Sequence, residues 1–257
     1  AAVLVGLSYE RIRQRLAERK GRFVVALFTI LVVGQMTLLV ANYVRLLPDR
    51  IEPQRATLDA VHAVFDEPVP YIDGFGVVAS FPRTGFFMSG WGMDSYRKAG
   101  QPRFADIAAA TQPPLLLADS PSLWGAMVPA FETPEPRRLL PDDIAFLRAH
   151  YVEHWGMIYV AGARIELPVP GGAATFTIAV AGDYRFESVA AGTVDGRHLQ
   201  PGDRIALAPG EHRFEAGPGV RSAILRWADA QDPPDREPVG PLELFALDRQ
   251  SGSGVGE

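Results

Sequence analysis

Residues 23–44 read FVVALFTILVVGQMTLLVANYV, and this stretch contains no charged residue. A helix of this length extends about 33 Å, enough to cross a hydrocarbon core of roughly 30 Å. A buried core helix of similar length usually keeps a polar stripe, and a cleavable signal peptide has a shorter apolar region followed by a small-residue cleavage site. We therefore expect a transmembrane helix over residues 23–45.

The segment before this helix is basic. Residues 1–22 contain six Arg or Lys residues and two Glu residues, and basic flanks of membrane helices stay in the cytoplasm. We expect a cytoplasmic loop here, and a chain beyond Arg45 that lies in the periplasm or outside the cell, at the bacterial inner (plasma) membrane. The apolar residues 1–8 resemble the end of a preceding membrane helix. They favour a fragment of a longer membrane protein, with a trimmed single-pass protein as the alternative.

Composition excludes several classes of function. The chain has 257 residues, 47% of them hydrophobic, and its 25 Lys and Arg residues against 30 Asp and Glu residues give a net charge of −5. With this negative net charge the chain has no overall positive field of the kind that nucleic-acid-binding proteins show. The chain has no cysteine, which excludes disulfides, thiolate zinc sites, Fe–S clusters and cysteine nucleophiles.

Residues 46–156 mix helical and strand patterns. Apolar spacing predicts a helix over residues 55–65, and the acidic residues after Pro141 predict a helix from there to about Val152. The remaining elements are one or two helices within 94–111 with a break at Pro102, and short strands at 69–72, 76–80 and 115–118. Helices and strands alternate in this periplasmic segment, which is typical of a small α/β layer.

Residues 157–230 have a different pattern, with short alternating strands between turns. Asp195-Gly196 is a hairpin turn signal. Strands are predicted at 175–180, 183–187, 203–207, 212–215 and 220–227. This spacing predicts an antiparallel β-sandwich module, followed by a Pro-rich tail at 231–257. The fold class is therefore α+β: a membrane protein fragment with a transmembrane helix, a small α/β layer and then the sandwich.

Two stretches carry candidate site residues. Residues 85–93 are rich in glycine and aromatic residues, and Trp91, Asp94 and Arg97 join a ring to charged groups within seven residues, as a substrate-binding surface requires. Exposed rings here would stack on sugars or rest at a membrane interface; packing in the core is the structural alternative. His150, Glu153 and His154 form an H-x-x-E-H pattern that would bind Zn²⁺ on a helix. A helix C-terminus that favours histidine is the alternative explanation.

Other motifs are not supported by their context. The G-x-G-x-x-A pattern at 74–79 needs a helix after it to bind a dinucleotide, whereas a strand is predicted at that position. Ser89 lacks the G-x-S-x-G turn of a serine hydrolase.

Several short motifs occur in order after the apolar helix. They are LLPDD at 139–143, HYV at 150–152, WGMIYVAG at 155–162, GDY at 182–184, VDG at 194–196, LAPGEH at 207–212 and LRW at 225–227. With this order, the chain resembles the C-terminal region of bacterial polytopic glycosyltransferases of the GT-C fold, akin to dolichyl-phosphate-mannose–protein mannosyltransferases. The resemblance covers most of residues 23–247.

The resemblance implies a function for the whole protein. Such enzymes transfer sugar from a polyprenyl-phosphate donor to a glycan or lipid acceptor at the outer face of the membrane. Their catalytic acid lies in an early outer loop that has no counterpart here, so no catalytic residue is carried over and this chain is expected to be an accessory region. The cofactor stays open, with a divalent metal in the full-length enzyme as one option. A single-pass anchored glycan- or partner-binding protein and a zinc hydrolase are the alternatives.

Overall fold

A computed structural model describes residues 19–235 of the chain as an α+β protein. The chain divides into two compact units, Ala1–Glu52 and Pro53–Glu257. The basic segment predicted at 1–22 falls mostly outside the described residues, as does most of the Pro-rich tail predicted at 231–257.

The first helix, α1, runs from Arg19 to Val64. Its stretch Ala26–Val44 is long and apolar enough to span a membrane, and the described side chains of this stretch are exposed. The predicted helix over 55–65 is confirmed as the last turns of α1, where Val61 and Val64 are fully buried. The helix ends before Pro68, since proline cannot continue it.

The shorter elements follow in sequence. The remaining helices are α2 (Gly90–Ala99), α3 (Phe104–Thr111), α4 (Pro121–Met127) and α5 (Pro141–His150), with a 3₁₀ turn at Glu135–Arg137. The strands are β1 (Tyr71–Ile72), β2 (Leu115–Leu117), β3 (Tyr151–Trp155), β4 (Ile158–Glu166), β5 (Ala173–Ile178), β6 (Gly182–Glu187), β7 (Gly192–Val194), β8 (Arg197–Leu199), β9 (Arg204–Leu207), β10 (Gly210–Ala216) and β11 (Ser222–Trp227).

Seven strands form one mixed sheet in the order β1-β2-β4-β11-β6-β9, with β3 also paired to β4. β1 and β2 are parallel, whereas the other pairs are antiparallel. The sheet therefore continues across the segment boundary predicted at residue 156. Strands from both sides of that boundary share one hydrophobic core.

A second, four-stranded antiparallel sheet has the order β5-β10-β7-β8. The turn predicted at Asp195-Gly196 is confirmed between β7 and β8, and both residues have positive φ, 49° and 80°. The alternation predicted at 183–187 is also confirmed, because Tyr184 and Phe186 are fully buried. The rings of Phe186 in the first sheet and Phe214 in the second lie 5.7 Å apart, so the two sheets meet at this contact.

Two predicted elements are wrong. Residues 76–80 form a loop rather than a strand: Val78 N–H donates to the Tyr71 hydroxyl instead of to a neighbouring strand. The helix predicted to reach Val152 ends at His150, and the backbone is extended at Tyr151. Tyr151 and Val152 pair with Ala161 and Val160 of β4, so strand pairing replaces the last helical turn.

Candidate functional site

Two buried carboxylates follow the parallel strands β1 and β2. Asp73 comes directly after β1 and Asp119 lies two residues beyond β2, and both are fully buried. The carboxyl ends of parallel strands meet at one edge of a sheet, where loops commonly form binding sites. Asp119 Oδ1 accepts a hydrogen bond from Gly74 N–H at 2.7 Å, which joins the two loops.

Asp73 holds the loop after β1 together through Arg83. Asp73 Oδ1 lies 2.5 Å from Arg83 Nε, and Oδ2 accepts from Val77 N–H at 2.9 Å. The Arg83 Nη2 group donates to the carbonyl oxygens of Gly74 and Phe86 at 3.3 and 3.0 Å. Removing one partner would leave a buried charge unpaired, at a cost of roughly 3–5 kcal/mol. This ion pair therefore fixes the path of the loop.

Asp119 is the less satisfied of the two carboxylates. Its Oδ2 atom is buried and has no hydrogen-bond partner among residues 19–235. Burial, and secondly the charge of Asp73, raise the pKa of Asp119 to about 7. The loops also approach closely: a Cβ atom on Gly74 would lie 2.4 Å from Ser120 Cβ, so only glycine fits there.

The aromatic residues of this loop divide between the core and the surface. Phe86 stacks on Tyr96 with ring centroids 4.9 Å apart, and Met88 is buried. By contrast, Phe87 is 51% exposed and Trp91 is 82% exposed. We call residues 74–92, which comprise the loop after β1 and the first turn of α2, the aromatic loop, with Phe87 and Trp91 as its exposed rings.

Arg83 connects the buried ion pair to the surface of the aromatic loop. Its guanidinium carbon lies 5.5 Å from the centroid of the Phe87 ring, within the range of a cation–π contact. Phe75 meets the same ring edge-on at 6.4 Å. The Phe87 ring is therefore held in place on two sides while half of its surface faces solvent.

The predicted binding residues Trp91, Asp94 and Arg97 all lie on α2. Ser89 caps this helix by accepting from Gly92 N–H. Trp91 and Asp94 are exposed, whereas Arg97 turns away: its Nη2 group contacts Glu135 Oε2 at 3.0 Å. The structure keeps the three residues on one helix, but the described contacts of Arg97 belong to a different surface.

A buried hydroxyl anchors α2. The Tyr96 hydroxyl donates to Asp143 Oδ2 at 2.6 Å and accepts from Leu140 N–H at 2.8 Å. Burial and the hydrogen bond to Asp143 raise the pKa of Tyr96 above its usual range, so the hydroxyl stays protonated. The helix that carries Trp91 is thus held firmly to the core.

The H-x-x-E-H residues do not form a metal site. His150 ends α5 and its Nδ1 atom lies 3.2 Å from the Thr177 carbonyl oxygen, whereas His154 lies on β3 with Nε2 2.9 Å from the Gln231 carbonyl oxygen. Glu153 and His154 are neighbours on a strand, so their side chains point to opposite faces. Burial lowers the pKa of both histidines. Among residues 19–235, no group of three or more His, Asp or Glu side chains is placed to hold a metal ion.

Sequence reasoning missed Asp73, Arg83 and Asp119. A signal was present, because Asp-Gly at 73–74 and Asp-Ser-Pro at 119–121 each follow an apolar run predicted as a strand. Only the parallel pairing of β1 with β2 brings these loops together. Comparison with known proteins gave no match to any protein-family model, curated protein or solved structure.

Proposed function

We propose that this chain is the C-terminal accessory region of a membrane glycosyltransferase that uses a polyprenyl-phosphate-linked sugar, and that its aromatic loop binds sugar. The exposed rings of Phe87 and Trp91 carry this proposal. The C–H groups of a sugar ring are weakly positive and pack on the negative face of an aromatic ring. A ring held in place before binding loses little entropy when the ligand arrives, and the contacts of Arg83 hold Phe87 in this way.

The membrane location is part of the same proposal. The apolar stretch Ala26–Val44 would cross the bacterial inner membrane, in contact with its lipids. The basic flank would keep the N-terminal side in the cytoplasm. The folded part would then lie in the periplasm or outside the cell, on the side where lipid-linked sugars are used by the enzymes that this chain resembles.

We propose that the antiparallel part of the first sheet packs face to face on the second sheet as a β-sandwich. The contact of Phe186 with Phe214 supports this assignment, because facing sheets interdigitate buried side chains from their inner faces.

A binding experiment tests the proposed function. The full chain, held in lipid nanodiscs, is titrated calorimetrically with a short-chain, water-soluble polyprenyl-phosphate sugar. We expect Trp91→Ala to weaken binding about tenfold, which corresponds to about 1.4 kcal/mol. Val189→Ala, which removes another exposed apolar side chain (86% exposed), should leave the affinity unchanged.

Three outcomes separate the alternatives. Equal affinity of the parent chain and Trp91→Ala would contradict a role for the aromatic loop. Absence of binding to the parent chain would contradict the proposed function. Binding of the free sugar as tightly as the lipid-linked one would instead favour an anchored glycan-binding protein that acts without an enzyme.

A further inference from the structure

A cleft of about 510 Å³ is lined by residues outside the aromatic loop. It is formed by the end of α2, the segment around the 3₁₀ turn and one side of α5 from Pro141 to Arg148. The side chains that matter for its chemistry are Arg97, Glu135, Arg138, Leu140, Ile144 and Arg148. We call it the arginine cleft, because three guanidinium groups from three different segments line it.

Backbone carbonyl oxygens orient these guanidinium groups. Arg97 Nη1 donates to the Arg138 carbonyl oxygen at 2.9 Å, and Arg138 Nη2 donates to the Thr133 carbonyl oxygen at 3.3 Å. Arg148 Nε donates to the Ala126 carbonyl oxygen at 2.5 Å. A carbonyl oxygen carries no net charge, so these contacts fix the direction of each group without neutralising it.

Glu135 neutralises only part of this charge. Its Oε1 and Oε2 atoms lie 2.9 Å from Arg138 Nη1 and 3.0 Å from Arg97 Nη2. Arg148 is exposed, and in the described part of the chain its contacts are to carbonyl oxygens. Three guanidinium groups and one carboxylate on the lining leave a surplus of two positive charges.

We propose that the arginine cleft binds a terminal phosphate group, either free or as a monoester of an apolar molecule. A phosphate monoester carries about −1.5 to −2 charge near pH 7 and presents three acceptor oxygens, which matches the surplus in the cleft. The guanidinium group has a planar fork of donors that fits phosphate in bidentate fashion. The partly buried side chains of Leu140 and Ile144 offer an apolar surface beside the charged groups.

This site goes beyond the proposed function, because no residue of the aromatic loop lines the arginine cleft. An experiment can therefore contradict sugar binding at the aromatic loop without contradicting phosphate binding at the arginine cleft, and the reverse. The chemistry does not distinguish a lipid phosphate from a free one, so the experiment tests both sources.

Calorimetric titration of the full chain in nanodiscs tests the site. The ligands are inorganic phosphate and dihexanoyl phosphatidic acid, with dihexanoyl phosphatidylcholine as a ligand without surplus negative charge. We expect at least one of the two phosphate ligands to bind, and phosphatidylcholine to bind more weakly. Binding of phosphatidic acid alone assigns the site to a lipid phosphate, and binding of inorganic phosphate alone assigns it to a free one.

Matched variants locate the binding. Arg148→Gln should weaken phosphate binding about tenfold, as loss of charged hydrogen bonds predicts. Arg137→Gln removes an exposed charge from the 3₁₀ turn, next to Arg138 but outside the lining, and should change the affinity by less than about twofold. Because Arg148 also donates to carbonyl oxygens in the last turn of α4, Arg97→Gln on α2 is a second variant, and thermal melting shows that each variant is folded. Absence of binding, or equal effects of Arg137→Gln and the two cleft variants, would overturn the proposal.

Discussion

The carboxyl group of Asp119 has the clearest consequence for stability among the single residues. Its ordinary pKa of 3.8 is raised to about 7 in the folded chain, first by burial and then by the charge of Asp73. Between these two values the folded chain holds a proton that the unfolded chain has lost. The free energy of unfolding therefore falls as pH rises through this window, and the contribution levels off above it.

The variant Asp119→Asn removes this titration. The amide keeps an acceptor for Gly74 N–H and carries no charge, so the variant should gain stability relative to the parent chain as pH rises from about 4 to about 8. Thermal melting of both chains across this range is the measurement. Asp59→Asn replaces an exposed carboxylate on α1 and should show a much smaller change. A pH-independent difference between Asp119→Asn and the parent would contradict the assignment.

At the scale of the elements, the contact between the two sheets joins two buried aromatic rings. Phe186 of β6 and Phe214 of β10 are both fully buried, and their rings lie 5.7 Å apart. In both strands the residues on either side of the phenylalanine are less buried than the phenylalanine itself, so a cavity at either position would face the other sheet.

Truncation of this contact has a predictable cost. Phe186→Ala should lower the free energy of unfolding by about 3–5 kcal/mol, through lost burial and the cavity that remains. Denaturant unfolding of the full chain in detergent measures this difference. Val189→Ala, on the loop that follows β6, is the control and should change stability by less than about 0.5 kcal/mol. A loss below about 1 kcal/mol for Phe186→Ala would contradict tight packing at this contact.

Local pattern was sufficient for most elements and insufficient for the candidate site. Alternation at 183–187 identified β6, and the break at Pro102 separated α2 from α3. The predicted end of the helix at Val152 was wrong because Tyr151 and Val152 pair with β4. The residues of β4 lie later in the chain, outside the local pattern from which the helix was predicted. The pairing of Asp73 with Arg83 and the approach of Asp119 depend on a parallel contact between distant strands. Sequence periodicity contains no information on that contact.

At the scale of the whole molecule, the distribution of charge and apolar residues determines the expected topology. The basic residues before the apolar stretch Ala26–Val44 favour a cytoplasmic N-terminal side. A reporter that functions only in the cytoplasm, fused after Glu257, should therefore be silent in a bacterial cell. A reporter that functions only outside the cytoplasm should be active at the same position. The reverse pattern would show that the proposed orientation is wrong.

We propose that the aromatic loop binds the lipid-linked sugar. Hydrogen–deuterium exchange of the full chain in nanodiscs, with and without a short-chain polyprenyl-phosphate sugar, tests this claim most directly. Bound ligand should slow exchange of the amides in residues 74–92, which surround the exposed rings of Phe87 and Trp91, and leave the hairpin turn at Asp195-Gly196 unchanged. Unchanged exchange across residues 74–92 at saturating ligand, or protection confined to another segment, would contradict it.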